Sequence, residues 1–413
     1  MGKNNSDSRN IRERIKKISA DLAPTLIKIR RRLHEHPELS YQEFETTKYL
    51  TRWLKKTSAE IRTEYAETGV VGVLRGSDSG PVVALRGDID ALPIKETTGL
   101  PFASKNPGVM HACGHDSHAT MTLGAALILA QLKDELNGSV KIILQPGEEK
   151  NPGGASIMVK NGVLTDPDVD VIFGIHSDHR LAVGHIGYRE GVAMAAADEF
   201  YITIKGKGGH GAFPHLAVDP IVIAAQVVLG LQKIRSRMVD PHDQVVVTVG
   251  KISGGKTTNV IPDKVKLIGT IRTFKPGLGQ EVDIMMRRML QGITHAYGAE
   301  FDLKVDYGSP ALINDKEATH FLLQVGKEYL GRNNCHFTEK PSLGGEDFSF
   351  YLEQVPGSFF RIGTGNPEKG ISAYFHESKY DIDEAALPMG AGFYAFLAYS
   401  YLANHLKDPK GGK

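Results

Sequence analysis

The chain has 413 residues and a formal net charge of +1 at pH 7, because 49 Lys and Arg face 48 Asp and Glu. This length exceeds that of one ordinary core, so we expect two domains, or one domain with a large insert. The balanced charge excludes a field that would draw the whole protein to nucleic acid or an anionic membrane. With 41% hydrophobic and 23% charged residues, the composition is typical of a soluble globular protein.

Cys113 and Cys335 are the two cysteines of the sequence. They are too few for a disulfide framework and favour a reducing compartment. The N-terminal segment MGKNNSDSRNIRERIKK lacks the apolar stretch of a signal peptide, and no run reaches membrane-spanning length. We therefore expect a cytoplasmic protein with no membrane or nucleic-acid partner, in which the role of Cys113 is chemical.

The first predicted element is a long amphipathic helix. Its apolar residues recur every three or four positions from Ile11 to Leu33, and Pro24 is a place where it would bend. β-rich runs follow at 69–74, 81–88, 139–146 and 169–176, separated by stretches with helical patterning such as 117–133. Strands that alternate with helices predict an α/β sheet domain.

The pattern of elements changes near residue 198. A strand at 198–206, a helix at 219–236, strands at 244–250 and 264–274, a helix at 279–297 and a strand at 300–307 follow one another. This β-α-β-β-α-β order is that of a ferredoxin-like unit. Because helix–strand alternation resumes after Gly308, we interpret the unit as an insert at 189–307. The outer parts, 1–188 and 308–413, then form one catalytic domain.

Side chains that commonly bind metals follow several predicted strands. The motif Cys113-Gly114-His115-Asp116 places a thiol and an imidazole two residues apart, with a glycine that permits close backbone approach. Taken alone, a buried cysteine near a surface histidine is the commoner explanation of such a motif. Open α/β sheets, however, carry their sites at the carboxyl ends of strands. The residues expected there are Asp88, Asp90, Glu148, Glu149 and His176.

Two further observations complete the candidate site. Glu148 and Glu149 come directly after Pro146-Gly147 and an apolar strand, where a merely solvated acidic pair is less expected. His376, in SAYFHESKYDIDEAAL, would by itself be interpreted as an ordinary, partly buried histidine. One thiolate, three imidazoles and a carboxylate form a donor set of borderline softness, which points to zinc, with manganese or cobalt as alternatives.

At these residues the sequence resembles the aminoacylase and carboxypeptidase family of co-catalytic metallohydrolases. The resemblance is to the amidohydrolase branch that contains hippurate hydrolases, N-acyl-L-amino acid amidohydrolases, thermostable carboxypeptidases and auxin-conjugate hydrolases, and it extends over nearly the whole chain. The motifs that carry it are LHEHPELSYQE (33–43), LRGDIDALPI (85–94), MHACGHDSHA (110–119), LQPGEE (144–149), GGHGAFPH (208–215), NVIPD (259–263), GTIRTF (269–274) and GGEDFSFY (344–351).

The resemblance implies a fold and a metal site. The catalytic domain would have a mixed sheet flanked by helices, as in zinc exopeptidases, and the insert at 189–307 would be an α+β dimerisation domain. The site would hold two zinc ions per subunit. The ligands implied are Cys113, which bridges the two ions, and His115, Glu149, His176 and His376. Glu148 stays outside both shells and becomes the general base.

The resemblance also gives roles to residues that are otherwise ordinary loop or surface positions. His210 would steady the developing oxyanion in the active site of a partner subunit, which implies a homodimer or a dimer of dimers. Asn259, Arg272 and Gly345 would bind the substrate. A guanidinium holds a carboxylate through two parallel hydrogen bonds, so Arg272 suits a substrate with a free α-carboxylate.

We therefore predict a zinc-type metallohydrolase that cleaves the amide bond to an amino acid in a small substrate, an N-acyl amino acid or a short peptide. LQPGEE and GIHSDH depart from the usual pattern of the branch, and both departures bear on substrate preference. One alternative is a non-catalytic metal-binding or assembly protein on the same fold, which would have no need of Glu148. Another is hydrolysis with Cys113 as nucleophile, which is disfavoured because a metal-bridging thiolate is not free to attack.

Overall fold

The computed structural model describes residues 2–77 and 80–405 and divides into two compact units. Unit 1 comprises the chain as far as Gly191, Ile313–Lys340 and the chain from Asp347 onward; unit 2 comprises Val192–Leu312 and Pro341–Glu346. The bounds predicted for the insert, 189 and 307, lie close to those of unit 2. Segment 341–346, which contains Gly345, is part of unit 2 and not of the catalytic domain in which the sequence had placed it.

The helices and strands follow one another in a largely alternating order. The helices are α1 (Gly2–Glu35), α2 (Phe44–Leu54), α3 (His115–Ala130), α4 (Gly154–Lys160), α5 (Pro220–Lys233), α6 (Leu278–Ala296), α7 (Lys316–Tyr329), α8 (Ser349–Leu352) and α9 (Ala386–Asn404). The strands are β1 (Glu60–Arg62), β2 (Val70–Arg75), β3 (Val82–Asp88), β4 (Ser139–Gln145), β5 (Val171–Ala182), β6 (Ile186–Tyr188), β7 (Gly191–Met194), β8 (Ala196–Lys205), β9 (Gly209–His210), β10 (Val245–Ser253), β11 (Val260–Ile261), β12 (Lys264–Thr273), β13 (Glu300–Asp306), β14 (Leu312–Asn314), β15 (Cys335–Phe337) and β16 (Gly357–Gly365).

Unit 1 is built on a mixed sheet with the strand order β1-β2-β4-β3-β5-β16-β6-β15. The four central strands β4, β3, β5 and β16 are parallel to one another, whereas β2 and β6 on either side of them are antiparallel to β4 and β16. β3 and β4 are buried along their whole length, as expected for strands that are covered on both faces. Because parallel strands end at the same edge of a sheet, the chain leaves β3 and β4 close together, and this edge carries the candidate site.

Helices pack on this sheet, and the first of them was predicted from its periodicity. α1 continues through Pro24, and its apolar side chains at Ile15, Leu26 and Ile29 are buried against α3 and α9. α3 and α9 are themselves buried on nearly every side. Within residues 2–77 and 80–405, no helix combines the length and apolar character needed to cross a bilayer.

One strand differs from its prediction in a way that concerns the site. The sequence placed His176 just past the end of a strand at 169–176, but β5 continues to Ala182. The added residues pair with β16, and His176 lies opposite Arg361 in this ladder. His176 is therefore held by strand pairing, which fixes its backbone more firmly than a loop would.

Unit 2 contains a sheet with the strand order β10-β12-β8-β13 in which all neighbours are antiparallel. With α5 and α6 between the strands in sequence, this is the β-α-β-β-α-β unit that the sequence predicted. Its core consists of apolar side chains of the sheet and both helices, including Phe200, Leu231, Leu267 and Leu290. The predicted fold class, a mixed sheet flanked by helices with an inserted ferredoxin-like unit, is confirmed.

Tyr394 links α9 to the central strands and provides a test of this core. Its ring is fully buried; its hydroxyl accepts a hydrogen bond from Arg86 N at 3.1 Å and donates one to the carbonyl oxygen of Phe173. We expect Tyr394→Phe to lower the free energy of unfolding by about 1–3 kcal/mol, because the strand backbone loses a buried partner. Urea unfolding measures this. Tyr374→Phe, at an exposed ring, is the control. An equal loss of unfolding free energy in both variants would contradict the stabilising role of the buried Tyr394 hydroxyl.

Candidate metal centre

The five predicted metal ligands all lie in unit 1, and the structure brings them together. Two groups of side chains have ligand atoms within 4.8 Å of one another: Cys113, His115 and His176 form the first, and Cys113, Glu149 and His376 form the second. The thiol of Cys113 belongs to both groups. A single sulfur atom thus lies where two neighbouring ligand sets meet, which is the arrangement expected of a bridging ligand.

The turn from Cys113 to His115 depends on the glycine between them. Gly114 has a φ of 85° and directly precedes α3. A Cβ at this position would lie 2.6 Å from Ser177 Oγ and 2.8 Å from Tyr380 Oη. Only glycine combines this backbone conformation with so close an approach. The close approach that the sequence predicted at this glycine is what the structure shows.

Asp90 holds two of the candidate ligands. Its Oδ1 lies 3.1 Å from His115 Nδ1, and its Oδ2 accepts a hydrogen bond from Glu149 N at 3.0 Å. A carboxylate on one nitrogen of a histidine fixes the ring and makes the other nitrogen a better metal ligand. The sequence singled out Asp90 as a residue of ligand type, and the structure shows it bonded to candidate ligands instead.

His176 presents its Nε2 atom to Cys113. Its Nδ1 lies 2.8 Å from the carbonyl oxygen of Ser177 and is the donor of that hydrogen bond, while Nε2 lies 3.5 Å from Cys113 Sγ. Burial, and next to it the positive charge of Arg361, lowers the pKa of His176 well below its usual range. The imidazole is therefore neutral, which is the form that binds metals.

His376 adopts a backbone conformation that is uncommon for a residue with a side chain. Its φ is 65°, in a region that costs about 1–3 kcal/mol for residues other than glycine. Its N–H donates a hydrogen bond to Ala112 O at 2.8 Å, which ties it to the residue before Cys113. This conformation places His376 Nε2 3.3 Å from Glu149 Oε1.

The chemistry of the donor atoms fits a metal cation. His115 Nε2 and Glu149 Oε1 are buried and have no hydrogen-bond partner among the described residues, and buried polar atoms without a partner are rare. Burial, followed by the charge of Glu149, raises the pKa of the Cys113 thiol to about 12, so its thiolate form requires positive charge nearby. A divalent cation would satisfy the nitrogen, the oxygen and the sulfur together.

Glu148 differs in position from the residue that follows it. It is half-buried and forms a third close group with His115 and Glu149. It belongs to neither group that contains Cys113. Its carboxylate thus lies beside the candidate ligands rather than among those that share the thiol.

The predicted residues of unit 2 form two pairs. His210 is exposed, its Nδ1 accepts a hydrogen bond from Ala212 N at 3.1 Å, and Asn259 O accepts one from the neighbouring Gly211 N at 2.7 Å. Arg272 is half-buried in β12, and a Cβ on Gly345 would lie 3.5 Å from its Nη1. His210 is therefore close to Asn259 along the backbone, and the Arg272 side chain is close to the backbone of Gly345.

His118, which the sequence did not single out, lies beside His115 and Asp88. It is fully buried; its Nδ1 lies 2.6 Å from Asp88 Oδ1, and its Nε2 accepts a hydrogen bond from the backbone N–H of Ser177 at 2.8 Å. Asp88, like Asp90, is thus engaged with a histidine. The spacing of His115 and His118 in the first turn of a helix places both on one face, and this signal was present in the sequence.

Asp90→Asn tests whether this carboxylate supports the metal site. The asparagine side chain has one acceptor oxygen and cannot replace both Asp90 oxygens, of which one contacts His115 Nδ1 and the other accepts from Glu149 N. We therefore expect the affinity for metal to fall about 10- to 100-fold. Competition with a chromophoric chelator measures the affinity for zinc. Asp383→Asn is the matched control, because Asp383 is also buried and bonds Lys369 and Asn366 rather than a candidate ligand. Unchanged affinity in Asp90→Asn would show that the contact is incidental.

Comparisons with known proteins agree with this geometry. Residues 84–400 match the peptidase family M20/M25/M40. N-acetylcysteine deacetylase of Bacillus subtilis is 43% identical over 374 residues, which cover 90% of this chain and 96% of that protein. Thermostable carboxypeptidase 1 of Saccharolobus solfataricus is 39% identical over 392 residues, which cover 94% and 98%. Both are named for hydrolytic activities, and neither supports the non-catalytic alternative.

A solved structure gives the same result. The crystal structure of a dinuclear metal-binding peptidase of the M20 family from Bacillus subtilis superimposes with a TM-score of 0.79 at 39% sequence identity. The superposition covers 93% of this chain and 99% of that one. The match to the family extends over most of the chain, and the residues that could bind metal are in place. The chain therefore belongs to peptidase family M20/M25/M40 and is a metal-dependent hydrolase.

Proposed function

We propose that the protein hydrolyses the amide bond between an acyl group and an amino acid that carries a free α-carboxylate. N-acyl amino acids and short peptides are the substrate class. The observation that carries the proposal is the pair of ligand groups that share Cys113, with Glu148 beside them. The names of the two relatives agree with it, because a deacetylase of N-acetylcysteine and a carboxypeptidase both release an amino acid with a free carboxylate.

We assign two zinc ions to the centre. His115 and His176 would hold one ion and Glu149 and His376 the other, with the Cys113 thiolate shared between them. Zinc suits this mixture of sulfur, nitrogen and oxygen donors better than magnesium or calcium, which take oxygen ligands. Such ions supply Lewis-acid chemistry: they polarise a carbonyl oxygen and lower the pKa of water.

Glu148 is the general base in this proposal. Its carboxylate accepts a proton from the attacking water and passes it to the amide nitrogen as the C–N bond breaks. The nitrogen then leaves as the amine of the amino acid. His210 donates a hydrogen bond to the oxyanion that develops at the carbonyl oxygen as water adds to the carbonyl carbon. Arg272, with Asn259 and the backbone at Gly345, holds the α-carboxylate of the substrate.

We further propose that the protein functions as a homodimer formed through unit 2. α5 exposes Val222 and Leu229, seven residues apart on one face of the helix, and β10 exposes Ile252 at the edge of its sheet. Exposed apolar residues and an edge strand both favour association with a second copy. A two-fold interface would use the same surface of each subunit. His210 is exposed in the same unit and would complete the partner's site.

Hydrolysis of a substrate panel tests the activity. The panel contains N-acetyl and N-benzoyl amino acids and carboxybenzyl dipeptides, assayed after chelation and again after addition of zinc, manganese or cobalt. We expect metal-restored release of free amino acid, and Glu148→Gln to lower kcat about 10²- to 10⁴-fold with its metal content retained. Glu353→Gln, at an exposed glutamate of the same unit, is the control. Failure of the folded wild-type chain to release amino acid with any metal would refute the proposal.

Complementation between inactive variants tests the role of His210 across subunits. Glu148→Gln and His210→Ala would each be inactive alone, but a dimer with one subunit of each kind contains one complete site. Coexpression in equal amounts yields such dimers as half of the total, so we expect about a quarter of the wild-type activity if the His210 of one subunit serves the Glu148 of the other. If His210 acts within its own subunit, or if the protein is a monomer, no activity is recovered.

A further inference from the structure

The loop that carries Glu148 and Glu149 is held by a segment far away in sequence. This glutamate loop, residues 146–150, connects β4 to α4 and contains no helix or strand. The segment opposite it, residues 40–43, immediately precedes α2. The two segments are joined by several contacts in unit 1, and the function proposed above assigns no role to residues 40–43.

The first of these contacts along the loop involves Glu43. Its side chain is fully buried; Oε1 accepts a hydrogen bond from Gly147 N at 2.9 Å, and Oε2 accepts one from Thr68 Oγ1 at 2.7 Å. Gly147 directly precedes Glu148. A fixed N–H at this position restricts the backbone from which the Glu148 side chain extends.

Tyr41 holds the loop on both sides of Glu148. A Cβ added to Gly147 would lie 2.4 Å from the ring atom Cε1 of Tyr41, so the Tyr41 ring packs directly on the loop backbone. Gly147 has a φ of 64° at this point. The hydroxyl of Tyr41 donates a hydrogen bond to the carbonyl oxygen of Lys150 at 2.7 Å. The ring and the hydroxyl thus contact the loop before and after Glu148 and Glu149.

Ser40 adds an indirect contact. Its Oγ donates a hydrogen bond to Asp90 Oδ2 at 2.7 Å, and the same oxygen accepts one from Glu149 N at 3.0 Å. The loop backbone is therefore held at the N–H of residue 147, at the N–H of residue 149 and at the carbonyl oxygen of residue 150. Glu148 is the residue enclosed by these three points.

We propose that Glu43 is a positioning residue for the reaction, which acts through Gly147 N–H to hold the Glu148 carboxylate where it serves as the base. The inference rests on the proposed function, because it assumes that Glu148 is that base. The hydrogen bonds of the Glu43 side chain join it to Gly147 N and Thr68 Oγ1, neither of which belongs to a candidate ligand. A carboxylate suits the task because its two oxygens accept separately from an amide and a hydroxyl. Glutamine preserves one acceptor oxygen and is therefore the conservative replacement.

Three variants separate positioning from a general loss of stability. Glu43→Ala removes the acceptor of Gly147 N–H, Glu43→Gln retains an acceptor, and Thr68→Val removes the other hydrogen bond to the same carboxylate. We expect Glu43→Ala to lower kcat about 10- to 100-fold, the effect of a small misplacement of a catalytic group, with KM and metal content unchanged. We expect Glu43→Gln to recover most of the loss and Thr68→Val to retain the wild-type kcat.

Amide hydrogen exchange provides a readout that does not depend on activity. We expect residues 146–150 to exchange faster in Glu43→Ala than in the wild type, and at the wild-type rate in Glu148→Gln. If Glu43→Ala does not fold, Tyr41→Phe replaces it, since it removes the bond to Lys150 O and keeps the ring; faster exchange of the loop and a lower kcat are again expected. Wild-type kcat and exchange in these variants, or an equal loss of kcat in Thr68→Val, would overturn the inference. A wild-type chain that hydrolyses nothing refutes the proposed function instead, and exchange alone then decides whether Glu43 holds the loop.

Discussion

A thiol, imidazoles and carboxylates that are removed from water must satisfy their lone pairs inside the protein. At the edge of the sheet of unit 1 this requirement is met for most of the polar atoms by hydrogen bonds. It is not met for His115 Nε2 and Glu149 Oε1, which are buried without a hydrogen-bond partner among the described residues. A cation bound between these two atoms would meet the requirement, and the remaining features of the site fit such an ion.

The polypeptide holds the site from several elements at once. Gly114 allows the start of α3 to approach Ser177 and Tyr380, strand pairing with β16 fixes His176, and a left-handed conformation places His376 beside Glu149. Behind them, Asp90 bonds to His115 and to the backbone of Glu149. Such outer contacts orient ligands and tune them for metal binding. In our proposal Glu43 does the same for the base.

Much of this organisation could be predicted from the sequence. Apolar runs and helical periodicity are local signals, and they located β3, β4, α3 and the β-α-β-β-α-β elements of unit 2 to within a few residues. The short strands β9 and β11 of unit 2 were not predicted. The extension of β5 beyond His176 was not predicted because it depends on pairing with β16, almost two hundred residues later in the chain. The assignment of segment 341–346 to unit 2 has the same cause, since it rests on contacts with distant residues. Local patterns do not encode such contacts.

The sequence indicated which acidic residues lie near the site, but it did not indicate what each of them contacts there. Asp88 and Asp90 were recognised as candidates, but only the fold shows that they bond to His118 and His115. Glu43 ends the motif at 33–43, but no role was predicted for it, because its hydrogen bond goes to the backbone N–H of Gly147, which no local pattern reveals. The family relationship establishes a metal-dependent hydrolase, whereas the ligand set, the dimer and the cytoplasmic location stay predictions.

A crystal structure of the zinc-loaded protein, with anomalous data at the zinc edge, would test the two-metal site most directly. We predict two zinc ions per subunit, about 3.5–4 Å apart as in other two-metal sites, with Cys113 Sγ bound to both. His115 and His176 would complete one shell and Glu149 and His376 the other, while Glu148 binds neither ion. A single ion, a Cys113 thiol bound to no metal, or Glu148 in a metal shell would contradict the proposed two-metal site and its general base.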